Sequence, residues 1–224
     1  DLDLLLGGGI PKGTTMLLEV DERISTPQYH AIITPIAGNF TCKGRAIIII
    51  PSPGVDYRIA KMRAAEIGLT DEEINRLVKI CVQSRFGIVP NDPCIFTFEG
   101  KDLNKDYRKC LHLEEEMMKK TGQPVLKITG IGALRDAYGD EAVIRMLDFD
   151  AAMVRERCNL SIFILKPDSA HICKAISTIT EIHLKLTREH GALLLYGVKP
   201  RTCIHAVEVD TSRGYSLPKL TPIE

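Results

Sequence analysis

The feature that most constrains this chain is a series of short, nearly unbroken aliphatic runs set between amphipathic helices. Met16–Val20 and Ala46–Ile50 are bounded by Gly and Pro, the pattern of strands buried on both faces of a parallel sheet. Between them Ser25 or Thr26 can cap a helix with Pro27 in its first turn and an end near Gly38. Asp56–Ile67 reads as a helix stopped by Gly68. The next opens on Thr70 and Glu73 in capping-box spacing, and Ile74, Leu77, Val78, Cys81 and Val82 then follow at helical intervals up to Gly87. Further on, the pattern predicts a strand at Cys94–Phe98, a polar helix at Asn104–Thr121 ended by Gly122, and a strand at Val125–Thr129. A helix from Asp140 to Arg157 then turns Val143, Met146, Leu147, Met153 and Val154 inward, and a strand follows at Leu160–Leu165. The tail changes character. Thr180–Leu186, Ala192–Val198 and Cys203–Val209 read as strands, with turns at Glu189-His190-Gly191 and Ser212-Arg213-Gly214. The expectation is an α/β fold: a mostly parallel sheet flanked by helices, with right-handed crossovers and antiparallel strands added at the C-terminal edge. No low-complexity linker or repeat divides the chain, so residues 1–224 are expected to form a single domain.

Composition narrows the function classes. With 45% hydrophobic and 26% charged residues among 224, the chain is globular, not disordered. Its longest apolar runs, such as Ala46–Ile50 and Leu193–Tyr196, are too short to span a membrane. Lys+Arg 29 balances Asp+Glu 29, which removes the electrostatic footprint of a non-specific nucleic-acid coat. The start at Asp1-Leu2-Asp3 lacks the basic and apolar regions of a signal peptide, so a cytoplasmic location is expected. The absence of an initial Met is read as a trimmed start.

The seven cysteines are scattered and never spaced C-x-x-C, so no zinc site or disulfide framework is expected. Cys110 with His112 and His171 with Cys173 are lone pairs without a second pair in register. His30, His171, His183 and His190 have no Ser, Cys and acid in a triad-like context and are expected to be solvated or satisfied. Glu114-Glu115-Glu116 is expected on a solvated face, with Met117-Met118 at the core edge. The aromatics are too dispersed to make a stacking platform for single strands.

One segment carries more information. Leu4-Leu5-Leu6-Gly7-Gly8-Gly9-Ile10-Pro11-Lys12-Gly13-Thr14-Thr15-Met16-Leu17-Leu18-Glu19 resembles the opening of the RecA-superfamily ATPases of the KaiC type, a group that includes archaeal recombinase paralogues, the archaellum ATPase and a gas-vesicle regulator. The resemblance extends in order and pattern over the whole chain and implies a RecA-like sheet. It fails at the catalytic motifs. The family's first strand leads into a phosphate loop, G-x-x-x-x-G-K-[ST], whose backbone N–H groups and Lys hold phosphates while the Ser/Thr holds Mg²⁺. Here that stretch is Val20-Asp21-Glu22-Arg23-Ile24-Ser25-Thr26-Pro27-Gln28. Val20, Arg23 and Ser25 stand where glycines should, Thr26 stands at the lysine position, and Pro27 stands at the hydroxyl position and removes a backbone donor. Asp21 and Glu22 would repel a triphosphate. Losing two or more charge-assisted contacts, at about 1.5–3 kcal/mol each, weakens binding by roughly a hundredfold or more. The second strand runs into Pro51-Ser52-Pro53-Gly54 without the family's carboxylates, and Thr129 takes the place of the Mg²⁺-organising Asp.

The resemblance therefore implies a degenerate site, with ATP and Mg²⁺ binding absent or weak and no other cofactor expected. In the tail, Lys199-Pro200-Arg201 and His205 resemble the family's K-x-R…H segment, whose basic pair reaches a neighbouring subunit's phosphates; the alternative is a solvated basic turn. The leading expectation is a catalytically inactive homologue acting as a regulatory or protein-binding module, assembled as a homo- or hetero-oligomer. The alternatives are a non-catalytic ring subunit lending Lys199 and Arg201 to an active paralogue's ATP, or a DNA-recombination accessory, against which zero net charge counts. The sequence leaves open whether Arg23 and Gln28 fill the vacated loop, Arg23 by pairing with Asp21 or Glu22, or whether another small ligand enters.

Overall fold

The computed structural model describes residues 2–84, 91–210, 212 and 217–223. In chain order, α1 (Leu2–Leu5) precedes β1 (Thr14–Val20), α2 (Thr26–Thr41), β2 (Ile47–Ile50), α3 (Tyr57–Glu66), α4 (Asp71–Leu77) and β3 (Val78–Gln83). Then come β4 (Ile95–Phe98), α5 (Leu103–Thr121), β5 (Leu126–Gly130), α6 (Ile131–Tyr138), α7 (Asp140–Arg157) and β6 (Leu160–Leu165). A 3-10 turn at Pro167–Ile172 leads into α8 (Cys173–Ile179), and β7 (Ile182–Glu189), β8 (Ala192–Lys199), β9 (His205–Asp210) and β10 (Leu217–Pro222) finish the chain. The strands form one ten-stranded sheet in the order β10-β9-β8-β7-β1-β6-β5-β2-β3-β4. From β7 through β4 neighbours run parallel, and from β7 through β10 they run antiparallel.

β1 lies between β6 and β7, with Leu17 opposite both Phe163 and His183. Its residues alternate between two cores, as strand geometry requires. Met16, Leu18 and Val20 pack with Ile32, Ile33 and Ile36 of α2. Leu17 packs on the other face with Val143 and Leu147 of α7 and Ile176 of α8. Helices thus cover both faces, as a parallel sheet needs. At the antiparallel edge, Pro218 and Pro222 sit in β10, where a missing N–H is tolerated.

The expected helix from Thr70 through Val82 is corrected: α4 ends at Leu77, and Val78, Cys81 and Val82 lie in β3. The first turn forms because Thr70 and Glu73 cap it reciprocally, with Thr70 N–H to Glu73 Oε2 at 2.9 Å and Glu73 N–H to Thr70 Oγ1 at 3.2 Å. Beyond it, Val78-Lys79-Ile80-Cys81-Val82 is rich in β-branched residues and pairs with both β2 and β4. Gly87, Arg213 and Gly214, read as helix and turn signals, lie outside the described residues.

The expected solvated Glu114 is also corrected. It is 1% exposed, and Lys127 and Asp150 are buried with it at 9% and 5%. Lys127 of β5 forms ion pairs with Glu114 of α5, at 2.8 Å, and with Asp150 of α7. Asp150 also accepts from Tyr107 Oη at 2.9 Å, while Glu114 accepts from Arg157 at 2.9 Å and from Asn159 Nδ2 at 2.9 Å. Burial alone would push the Lys127 ammonium down, but its two carboxylates outweigh that and hold it above its ordinary value. Removing one partner strands buried charge. Lys127→Met is therefore expected to lower stability by about 3–5 kcal/mol, and adding Glu114→Gln with Asp150→Asn is expected to recover part of it; urea denaturation of the variants checks both.

Candidate functional site

In an open α/β sheet, ligands bind outside the carboxyl ends of the parallel strands, beside the point where strand order changes direction. The loop after β1 occupies that position. Val20 and Ile24 are buried at 3% and 8% and anchor it to the α2 side of the core. The remaining polar groups turn on one another. Asp21 N–H donates to Leu186 O at 3.0 Å, and Ile24 N–H donates to Asp21 O at 3.1 Å. The Asp21 carboxylate accepts from Arg23 N–H at 3.0 Å and from Arg23 Nε at 3.3 Å. The Arg23 backbone N–H, first among its contacts, keeps the Asp21 carboxyl below its usual range. Ser25 N–H donates to Gln28 Oε1 at 2.9 Å, and the Gln28 and Tyr29 N–H groups return to Ser25 O at 3.1 and 3.3 Å. Pro27 has no N–H to give. Arg23 pairs with Asp21 and, at 3.8 Å, with Glu189, while Glu22 is exposed. Arg23 and Gln28 thus close the loop around its own backbone, and Thr26 begins α2 as its first residue.

The neighbouring strand ends are tightly packed. A Cβ on Gly130, at the end of β5, would lie 2.4 Å from Ser52 Cα, so the two backbones meet where only glycine fits. Thr129 is 6% exposed. It lines a cavity with Lys127, Leu134 and Tyr138 under α5 and α6, on the face away from α2. Lys166, after β6, donates to Pro53 O at 3.0 Å and stands 5.5 Å from the centre of the Tyr29 ring.

Behind the loop, between α2, α3 and β2, lies a cavity of about 70 Å³ with mostly aliphatic walls. Tyr29, His30, Ser52 and Arg63 line it, and Tyr29 Oη, His30 Nδ1, Ser52 Oγ and Arg63 Nε are all buried without a hydrogen bond of normal geometry. His30 therefore departs from the expectation of a solvated or satisfied histidine. Its ring packs edge-on against Tyr29 with centroids 4.5 Å apart. Burial first, then the Arg63 and Lys166 charges, push its pKa down to about 4.

The other residues singled out by sequence are not gathered here. Lys199, opposite His183 near the start of β7, ties its ammonium to Thr180 O. Arg201 is exposed, and His205 is 8% exposed with Nδ1 3.1 Å from Cys203 O. The β1 loop instead follows Val20, which pairs with Leu186 further along β7, so the basic turn and the loop lie toward different ends of the sheet. His171 pairs with Asp140 at 2.7 Å and not with Cys173. Cys110 lies against Cys81, and His112 pairs with Glu116 at 3.3 Å.

No family model matches the chain. It is 22% identical over 231 residues to Protein GvpD2 of Halobacterium salinarum, a match covering 100% of this chain and 45% of that protein. The chain thus spans less than half the length of that relative. Uncharacterized protein PH0321 from Pyrococcus horikoshii, whose crystal structure is a complex with an unknown peptide, matches with a TM-score of 0.76 at 16% identity, over 100% of this chain and 97% of that one. KaiC-like protein PH0186 from the same organism matches with a TM-score of 0.66 at 14% identity, over 97% and 94% of the two chains. The fold is KaiC-like and RecA-type. No helix among the described residues is long and apolar enough to cross a membrane.

Sequence reasoning missed the orphaned polar cluster, because His30 and Arg63 carry no spacing that links them. It also missed the partners of Lys127, although a lysine inside the aliphatic run Val125–Ile128 is itself a signal that buried carboxylates face it. The low His30 pKa has a consequence for stability. An unfolded histidine titrates near its ordinary value of 6.5, while the folded one resists a proton until about pH 4. Between these values the unfolded state binds more protons, so stability falls as pH drops through that window. In His30→Gln this part of the pH dependence is expected to disappear, as read by urea midpoints measured from pH 7 to pH 4.

Proposed function

We propose that the chain is a catalytically inactive homologue of the RecA-like ATPases, working as a regulatory, protein-binding module in an oligomer whose partners include an active paralogue. The observation that supports this is the self-closed loop after β1. Asp21, Arg23, Ile24, Ser25 and Gln28 all spend their backbone N–H groups on protein acceptors, and these are the donors that a phosphate-binding turn must leave free. At the head of α2, Thr26 stands where the lysine would be and Pro27 where the magnesium-binding hydroxyl would be. The residues present therefore do not fit a magnesium nucleotide. Phosphoryl transfer depends on positioned charge and metal, so a scaffold lacking both is suited to holding partners. GvpD2 is similar in sequence, and PH0321 and the KaiC-like protein PH0186 share the fold. The reading in which Lys199 and Arg201 reach a neighbour's nucleotide has less support, because Lys199 is committed to Thr180 O.

ATP turnover by the purified chain with Mg²⁺ is expected to match the protein-free background. Thr26→Lys combined with Pro27→Ser is expected not to raise it, because most of the loop's donors stay occupied and β2 runs into Pro51-Ser52-Pro53-Gly54 without a carboxylate to orient water. Turnover above background that Arg23→Ala abolishes would overturn the proposal.

A further inference from the structure

On the face of the sheet away from α2, three donor side chains from three elements converge. Glu19 lies on the same face of β1 as Leu17, and β7 runs alongside with His183 opposite Leu17 and Lys185 opposite Glu19. α8 begins at Cys173 directly over this point, and its thiol lies 3.4 Å from Glu19 Oε2. His183 Nε2 is 2.9 Å from the same oxygen. One ligand atom from each of Glu19, Cys173 and His183 lies within 4.8 Å of the other two.

We propose that Glu19, Cys173 and His183 form a binding site for a borderline divalent transition-metal ion, zinc foremost, with a fourth position open to water. A thiolate, an imidazole and a carboxylate are the donor mixture that zinc takes and that Mg²⁺ and Ca²⁺ refuse. Tetrahedral zinc, with bonds of about 2.0–2.3 Å, needs its donors about 3.3–3.7 Å apart. The Cys173–Glu19 pair already has that spacing, and the His183–Glu19 pair must open by only a few tenths of an ångström.

The surroundings strengthen this reading, because the second atom of each bidentate group is already held. His183 Nδ1 is 2.9 Å from Ser177 Oγ, which leaves Nε2 to face the cluster. Glu19 Oε1 is 2.6 Å from Lys185 Nζ, which leaves Oε2 to face it. Outer contacts of this kind orient metal ligands and fix the imidazole tautomer. Glu19 and Cys173 are both half-buried, so an ion can enter from solvent. On binding, the Cys173 thiol gives up its proton to solvent as the metal–sulfur bond forms. The His183 Nε2 proton passes through solvent to Nδ1, which then donates to Ser177 Oγ, so that two bonds to the metal replace the His183–Glu19 hydrogen bond. The two carboxylate and thiolate charges balance the dication, and Lys185 remains paired with Glu19 Oε1. The site is separate from the β1 loop and stands whether or not the loop binds nucleotide.

The experiment is a titration of chelator-treated full chain with Co²⁺, followed by competition with Zn²⁺. The expected result is thiolate-to-cobalt charge-transfer absorption in the near ultraviolet with visible bands of tetrahedral intensity, saturating at one equivalent and erased by Zn²⁺. Cys173→Ser should abolish the charge-transfer band. Cys203→Ser, which removes the thiol beside His205, should leave it intact. Ser177→Ala should keep the spectrum and weaken binding by about 10–100-fold. Glu19→Gln should weaken binding without removing the band, which guards against a Cys173 variant that fails to fold. Absence of the band, or a band that survives Cys173→Ser in a folded variant, overturns the proposal.

Discussion

The buried ammonium of Lys127 sets the terms for one whole side of this molecule. A lysine inside a parallel sheet is tolerated only when carboxylates meet it away from water. Glu114 and Asp150 do so from two different helices, so α5 and α7 are fixed against β5 by charge as well as by apolar burial. Asn159 carries the constraint onward: its side chain donates to Glu114 and accepts from the Val125 N–H at 2.9 Å, joining the start of β6 to the start of β5. With β5 and β6 set side by side, their far ends bring Gly130 against Ser52 and Lys166 over Tyr29, which forms the wall of the candidate site.

At the other face, α2 starts where the strand-to-helix turn of a phosphate loop would put it, but most of the turn's donors are bonded within the protein. Its N–H groups, which in a phosphate-binding turn converge on a ligand, here converge on Leu186 O, the Asp21 side chain and Gln28 Oε1. Such a turn keeps the geometry that joins β1 to α2 while most of its backbone donors are already bonded within the protein. Among the described residues, four buried polar atoms without a hydrogen bond of normal geometry, on Tyr29, His30, Ser52 and Arg63, lie instead behind α2 in the cavity these residues line. Burial first, and then the Arg63 and Lys166 charges, lower the pKa of His30 there.

The parallel strands were legible because continuous aliphatic runs admit few other readings, and α7 was legible at both ends, Asp140 and Arg157. The misread segment at Val78–Val82 shows where such reasoning stops. Residues at i, i+3, i+4 and i+7 mark a helical face, but a short run rich in β-branched residues can satisfy the same spacing. Only pairing with β2 and β4 decides between the two. Glu114 was misread because one face of a polar helix looks like another until its partner at Lys127, distant in sequence, is placed. The order of the β1 loop was visible through its lost glycines and lysine, and the pairing of Arg23 with Asp21 was among the options their adjacency left open. The Glu19, Cys173 and His183 cluster was not visible, since its members are joined only by the register of β1 with β7 and by the position of α8.

The central claim, that the loop after β1 has exchanged phosphate binding for self-closure, is tested most directly by calorimetric titration of the purified chain with ATP and ADP in the presence of Mg²⁺. The account expects no heat of binding and no nucleotide-dependent thermal stabilisation at millimolar concentrations. A micromolar response would show that the loop opens to admit phosphate, and would contradict it.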